Sequence, residues 1–171
     1  MLRRRATSGR LKRAKPESER VTDPRPTLVA YGAPLGARPR AEMTLEKALV
    51  RSLGLLGEAP RVFLSLPLVL AASRERLDFE RLRRVARAAR RGPELGLVLE
   101  LTSEVTGDPF FGEQAVGLSA RSGAPQFLVP VDTAFVRRTA ELEAPEVARR
   151  WGFRFRTPVS SFREFYRKHH G

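Results

Sequence analysis

The sequence predicts a mainly α-helical protein: a compact bundle of about six to seven helices with a possible small two-stranded β element. From residue 43 onward, apolar residues recur at three- and four-residue spacing, and capping residues, Gly and Pro separate the segments. Residues 1–42 instead carry 11 Lys/Arg against 4 Asp/Glu with almost no apolar periodicity. We therefore expect a disordered basic tail over residues 1–42 and a single helical domain over residues 43–171.

Composition limits the classes of partner and site. The net charge is +13, so an anionic partner is physically reasonable, although the 28 Arg against 4 Lys and the absence of Ile and Asn also fit the codon bias of a GC-rich genome. The chain has no Cys, which excludes disulfides and thiolate zinc sites. Its longest apolar stretch, residues 62–72, is well below the ~20 residues of a bilayer-spanning helix. We expect a cytoplasmic protein without a membrane helix or cofactor.

The tail has basic clusters at residues 3–5 and 10–15, and prolines between residues 24 and 39 favour disorder. Residues 27–31 could form one short strand. Three interpretations of the tail stay open: a disordered arm, a nucleic-acid-binding arm, or a segment upstream of a true start at Met43. The third interpretation is attractive because Thr44 could cap the first helix.

Four helices are predicted in the first half of the domain. Residues 44–57 place their apolar side chains on one face, and residues 60–73 continue the pattern with a kink or break expected at Pro67. Asp78 is the expected N-cap of the most amphipathic helix, which runs to Arg91. Residues 93–107 are apolar nearly all round, and we expect this helix to lie at the centre of the domain.

Shorter elements follow. Asp108 should cap a helix that runs to about residue 118, and residues 126–129 and 153–156 are strand candidates that could pair with each other. Asp132 should cap a further helix that carries Phe135, Thr139 and Leu142. Pro145 opens a short helix that ends near residue 151. A terminal helix starts at Pro158 and places on one face Val159, Phe162, Phe165, Tyr166 and His169.

Arginines along the Asp78–Arg91 helix are the first candidate binding surface. Guanidinium groups that project from one rigid helix could contact several phosphates, whereas the alternative is an ordinary solvated face. The surrounding sequence has no helix-turn-helix or RNP-type motif, so such binding would be mainly electrostatic and sensitive to salt. The arginines of this arc are Arg83, Arg84, Arg87, Arg90 and Arg91.

The C-terminal region is the second candidate surface, because aromatic residues and arginines alternate in it. Together they could stack on single-stranded bases or form a protein interface. The alternative is a hydrophobic cluster that closes the core while the arginines face water. The candidate residues of this surface are Trp151, Arg154, Arg156, Arg163 and Arg167.

Catalytic signatures are weak in this sequence. Glu100, Glu104 and Asp108 recur at four-residue spacing and could hold a divalent ion, or they could pair with neighbouring arginines. The chain's two histidines, His169 and His170, stand at the C-terminus without the HExxH spacing of zinc enzymes. We therefore assign no catalytic residue, metal or cofactor, and a metal-dependent enzyme using the three carboxylates is the second alternative function.

Residues 77–107, LDFERLRRVARAARRGPELGLVLELTSEVTG, resemble the helical region of AbiEi-type antitoxins from type IV toxin–antitoxin systems. In both, an Arg-containing helix precedes a leucine-rich run. The N-terminal winged helix of that family is not recognisable in residues 1–42. The resemblance implies a non-enzymatic role in nucleic-acid binding or in control of a partner protein. The leading prediction is a non-catalytic nucleic-acid-binding or regulatory protein, and the first alternative is a protein-interaction subunit that does not bind nucleic acid.

Overall fold

The computed structural model describes residues 23–129 and 133–170. The helices are α1 Arg25–Ala30, α2 Leu45–Leu53, α3 Pro60–Ala72, α4 Phe79–Ala88, α5 Gly92–Thr106, α6 Pro109–Ala115, α7 Ala134–Glu143, α8 Glu146–Arg150 and α9 Val159–His169. The strands are β1 Gln126–Phe127 and β2 Phe153–Arg154. The mainly helical class is confirmed, and the described residues contain nine helices rather than the expected six to seven.

Helix α5 lies at the centre of the domain, as its apolar circumference predicts. Leu97 and Leu101 lie on one face of the helix and Leu99 lies on the nearly opposite face, and all three are fully buried. Helices α3, α6 and α9 make the most extensive packing against α5. Gly107 ends the helix in the left-handed conformation (φ +74°), and α6 then folds back along α5.

Truncation of Leu99 tests this central position. We expect Leu99→Ala to lower the free energy of unfolding by about 2–5 kcal/mol, because the substitution leaves a cavity in a fully buried site. Leu142→Ala, at a residue that is 70% exposed, is the matched control and should change it by less than about 0.5 kcal/mol. Urea titration monitored by circular dichroism would measure both values. A loss below about 1 kcal/mol for Leu99→Ala would contradict the central placement of α5.

Side-chain caps start four of the helices. The side chains of Thr44, Asp78 and Asp108 each accept a hydrogen bond from a first-turn backbone N–H, at 3.4, 2.9 and 3.0 Å respectively, which confirms three predicted caps. The predicted cap Asp132 lies outside the described residues. Thr133 caps α7, with its hydroxyl oxygen 3.2 Å from a backbone nitrogen of the first turn.

The boundary predicted at residue 43 is wrong, because residues 23–42 fold onto the domain. Residues 25–30 form helix α1 rather than a strand, and α1 packs against α2. Thr27 and Leu28 are fully buried, and the Thr27 hydroxyl donates to the Arg40 carbonyl at 3.3 Å. Pro26 stands in the first turn of α1. Backbone N–H groups in a first turn have no partner within the helix, so the missing N–H of proline costs no hydrogen bond there. Predictions for residues 1–22 lie outside the described residues.

Asp23 helps to start α1. Its carboxylate accepts hydrogen bonds from the Arg25 backbone N–H at 3.0 Å and from the Arg25 Nε at 2.9 Å. The Arg25 guanidinium holds the pKa of Asp23 below its ordinary value, mainly through the side-chain hydrogen bond. This carboxylate is therefore ionised at neutral pH and binds the first free backbone N–H of the helix.

Of the kink or break predicted at Pro67, the break is absent, because α3 continues through this residue to Ala72. Pro67 removes one backbone hydrogen bond from the helix interior. Val62, Leu66 and Val69, on both sides of the proline, are nevertheless buried in the core. Burial of these side chains outweighs the local loss and keeps the two halves of α3 in one helix.

The two predicted strands pair, although each is shorter than expected. They are parallel, with Gln126 opposite Phe153 and Phe127 opposite Arg154. The Leu128 backbone N–H extends the pairing by donating to the Arg154 carbonyl at 2.8 Å. This small sheet joins the loop after α6 to the C-terminal part of the chain.

Candidate anion-binding groove

A groove of about 540 Å³ lies between the end of α4, the start of α5 and the loop of residues 117–122. Arg87 and Arg90 line it from α4 and the turn after it, and Arg121 lines it from the loop. Ser119 and Ser122 add two hydroxyl groups, and no carboxylate occurs among the described residues that line the groove. We call this feature the anion-binding groove, because its side chains offer positive charge and hydrogen-bond donors.

Helix α4 positions Arg87. Leu82 and Ala86 are fully buried on the inner face of the helix, which leaves Arg87 on the outer arc. Its Nη2 donates to the Gly117 carbonyl at 3.3 Å, across the groove. A guanidinium has five N–H donors, so this bond orients the group and leaves other donors for a ligand.

Arg90 occupies the turn that ends α4. Its φ of +56° is in the left-handed region, which normally favours glycine. The Arg90 N–H donates to the Arg87 carbonyl at 3.0 Å, and the Arg91 N–H donates to the Ala86 carbonyl at 2.8 Å, which together form a Schellman-type helix end. The chain therefore places a cationic side chain where a glycine would cost less backbone strain.

Arg121 lines the groove, although the sequence did not predict it as a binding residue. Its backbone N–H donates to the Trp151 carbonyl at 3.3 Å, which attaches the loop to the C-terminal part of the domain. A Cβ on Gly152 would lie 2.9 Å from the Arg121 Cβ, and Gly152 has a φ of +80°. The loop has no apolar periodicity, so no local signal separates Arg121 from the other arginines.

The predicted arc on α4 divides into two groups. Arg84, Arg87 and Arg90 are exposed. Arg83 is largely buried, pairs with Glu80 and donates to the Gln114 carbonyl at 3.3 Å. The remaining member, Arg91, has its Nη1 2.7 Å from Oε1 of the buried Glu94. Arg83 therefore joins α4 to α6 and Arg91 is paired within the start of α5, so the five guanidinium groups do not form one free row.

The aromatic residues of the C-terminal region belong to the core. Trp151 is only 6% exposed, and Phe153, Phe155 and Phe162 are almost fully buried. The Phe63 ring contacts the rings of Phe155 and Phe162 edge-on, with centroids 5.2 and 5.0 Å apart. In this structure these rings are therefore not accessible for stacking on bases, which corrects the placement of Trp151 on a binding surface.

The C-terminal arginines are largely engaged with the protein itself. Arg154 donates to the Phe153 carbonyl at 2.8 Å, and Arg156 lies 3.2 Å from the Glu143 carboxylate. Arg163 donates to the Glu104 carbonyl at 3.2 Å. Arg167 is exposed in the last turn of α9.

Members of the two predicted arginine surfaces lie at opposite ends of α5. Arg90 and Arg91 immediately precede this helix, whereas Arg163 bonds to Glu104 near its C-terminal end. Thirteen residues separate Arg91 from Glu104, which corresponds to about 20 Å along the helix axis. Arg91 and Arg163 are therefore too far apart to contact the same small ligand.

The three carboxylates with metal-ligand spacing pair with arginines, which was the alternative interpretation. Arg150 Nη2 lies 2.9 Å from the Glu100 carboxylate and 3.5 Å from that of Glu104. Asp108 pairs with Arg74 at 3.1 Å. Among the residues that the structure describes, no three His, Asp or Glu side chains are grouped so that they could hold a metal ion.

The two histidines lie at the exposed end of α9. The His169 ring contacts Phe165, and the His170 ring contacts Tyr166, with centroids 4.7 and 4.5 Å apart. Burial raises the pKa of the Tyr166 hydroxyl above its ordinary value, and the Asp108 carboxylate adds to this effect. Tyr166 therefore stays neutral at physiological pH.

Comparisons with known proteins add no family assignment. No protein-family model matches the chain, and neither a curated protein nor a solved structure matches it significantly. The resemblance of residues 77–107 to AbiEi-type antitoxins stays a prediction. Within residues 23–129 and 133–170, no helix has the length and apolar character needed to cross a membrane.

Proposed function

We propose that this protein binds nucleic acid without catalysis, through phosphate contacts at the anion-binding groove and at the neighbouring Arg84. One observation supports this function above the others: Arg87, Arg90 and Arg121 come from different segments and line a single concave surface. The net charge of +13 adds a long-range attraction to polyanions. A regulatory, antitoxin-like role that depends on such binding belongs to the same proposal.

Phosphate contacts would dominate this interaction. Guanidinium groups bind phosphate oxygens well but carry no base specificity when they contact only the backbone. The buried C-terminal aromatic rings do not supply a stacking platform in this structure. We therefore expect weak sequence preference and, where an internal stretch of strand places three phosphates against these arginines, a logarithmic salt slope of about −2 to −3.

Charge reversal in the full-length protein tests the proposal. We expect Arg84→Glu/Arg87→Glu to weaken binding of labelled single- or double-stranded oligonucleotides by at least about tenfold and to reduce the salt slope by about 2. Fluorescence anisotropy across a salt series would measure both quantities. Thermal unfolding would show whether the variant remains folded, since Arg87 also bonds to Gly117.

Arg61→Glu/Arg138→Glu is the charge-matched control. Both arginines are exposed, and neither lines the groove. This variant should keep the wild-type salt slope. Equal losses in the two variants would mean that net charge alone matters and would contradict a localised site. If the wild-type chain binds no oligonucleotide at low salt, the proposal fails.

A failed binding experiment would favour the alternative, a protein-interaction subunit. One observation is relevant to it: Phe135 and Leu142, two turns apart on α7, are 74% and 70% exposed. Helix α7 buries Ala140 instead, so Phe135 and Leu142 lie on its outer face. A contiguous exposed apolar patch marks an interaction surface, so a partner that covers Phe135 and Leu142 together is what this alternative requires.

A further inference from the structure

We infer that the anion-binding groove recognises a terminal phosphate monoester of a nucleic-acid strand in preference to an internal phosphodiester. This inference rests on the proposed nucleic-acid binding and specifies the ligand group. A phosphodiester carries one negative charge. A terminal monoester carries between about −1.5 and −2 at neutral pH and has three acceptor oxygens. Arg87, Arg90 and Arg121 together match the monoester better than the diester.

The groove arginines differ from several other arginines of the described residues in lacking carboxylate partners. Within the described residues, no salt bridge links Arg87, Arg90 or Arg121 to a carboxylate. Arg91 and Arg150, by contrast, each lie within 3 Å of a glutamate carboxylate. No carboxylate of residues 23–129 or 133–170 therefore neutralises the positive charge of the groove, and this charge can act on a ligand.

The lining of the groove also suits a phosphate group. Its arginines come from the end of α4 and from the loop of residues 117–122, so guanidinium groups from two segments can bind the same phosphate. A terminal phosphate presents three oxygens to such a site, whereas an internal phosphate must let the strand continue in both directions. Ser119 and Ser122 can donate further hydrogen bonds to the same group. A volume of about 540 Å³ is in the usual range for pockets that hold small ligands.

Arg90 allows binding to be separated from folding. Its backbone is in the left-handed region, so Arg90→Gly removes a groove charge and at the same time relieves backbone strain. We expect the melting temperature of this variant to stay constant or to rise by up to about 4 °C. A loss of binding therefore cannot be attributed to unfolding.

The experiment compares short oligonucleotides that differ only in their ends. Full-length protein is titrated against a labelled single strand with a 5′-phosphate, a 3′-phosphate or hydroxyls at both ends, at one fixed salt concentration. We expect one phosphorylated form to bind at least about fivefold more tightly than the hydroxyl form, because its extra charge meets three arginines that form no salt bridge within the described part of the chain. The two phosphorylated strands identify which end is recognised.

Matched variants show which residues produce the preference for a phosphorylated end. Arg90→Gly and the loop variant Arg121→Ser should reduce the preference for the phosphorylated end to near unity. Arg84→Ala is the control, because Arg84 is exposed on α4 but does not line the groove. It should weaken binding of all the oligonucleotides alike and leave the preference intact. Loss of the preference in Arg84→Ala but not in Arg90→Gly would place recognition elsewhere and overturn the inference.

The remaining outcomes distinguish this inference from the proposed function. Equal binding of phosphorylated and hydroxyl strands would overturn the end preference but leave nucleic-acid binding in place. No binding of any strand would overturn both. A free nucleoside monophosphate serves as the competitor. If it binds as tightly as the phosphorylated strand, the groove is a small-molecule phosphate site, and recognition of a strand end is refuted.

Discussion

Replacing Gly96 with alanine is expected to lower the free energy of unfolding by about 3 kcal/mol, at the upper end of the usual range for overpacking. A Cβ at this position would lie 2.0 Å from Cη2 and 2.1 Å from Cζ3 of the Trp151 indole. That ring is 6% exposed and packs directly on the backbone of α5. It cannot move away without disturbing the core, so the added methyl group strains both elements.

The same helix offers a matched control at Gly92. A Cβ there would meet no atom within 4 Å, so Gly92→Ala should be neutral or should stabilise the domain by up to about 1 kcal/mol. Urea titration of both variants separates the steric effect from helix propensity. Similar unfolding free energies for the two variants would contradict the close contact between Gly96 and Trp151.

A double-mutant cycle sharpens this test. Trp151→Leu removes the atoms that the alanine methyl would meet, so Gly96→Ala should cost less in that background than in the wild type. A coupling of about 0.5–3 kcal/mol is expected for residues in direct contact.

The position of Trp151 also matters for the groove, because its backbone carbonyl accepts a hydrogen bond from the Arg121 backbone N–H. Gly96→Ala should therefore also weaken anion binding.

We expect a chain that begins at Met43 to have a free energy of unfolding about 2–5 kcal/mol lower than that of a chain that begins at Asp23, or lower still. Loss of the fully buried Leu28 side chain alone has this magnitude. The truncation also removes the hydrogen bonds that the Thr27 hydroxyl makes to the Arg40 carbonyl and the Glu42 N–H, both at 3.3 Å. Urea titration of both chains gives the midpoint and the denaturant slope, and hence the free energy of unfolding. The difference between the two free energies is the contribution of residues 23–42.

Leu28→Ala in the full-length protein is the companion variant. It should lower the free energy of unfolding by about 2–5 kcal/mol without changing the chain length. Val116→Ala is its control, since Val116 is 74% exposed and should contribute little. Equal stability of the chains that begin at Asp23 and Met43 would restore residue 43 as the start of the folded domain.

Local patterns in the sequence were sufficient to predict several elements. Asp78 and the apolar stripe behind it define α4, and the nearly continuous apolar circumference of α5 predicts its central position. The pattern failed at α1, because prolines and low hydrophobicity obscured a helix whose burial depends mainly on Thr27 and Leu28. A few buried residues on a short helix produce no periodicity that stands out from a loop.

The sequence by itself determined the helical class, most helix starts and the position of the central helix, because these depend on residues within a few turns of one another. Only the tertiary structure decided the role of each arginine. Arg150 meets Glu100 and Arg163 meets Glu104, although each pair is about fifty residues or more apart in the chain. The groove around Arg121 likewise depends on contacts between distant segments. Charge pairing acts through space, so the arginines that remain available to a ligand are not encoded in local spacing.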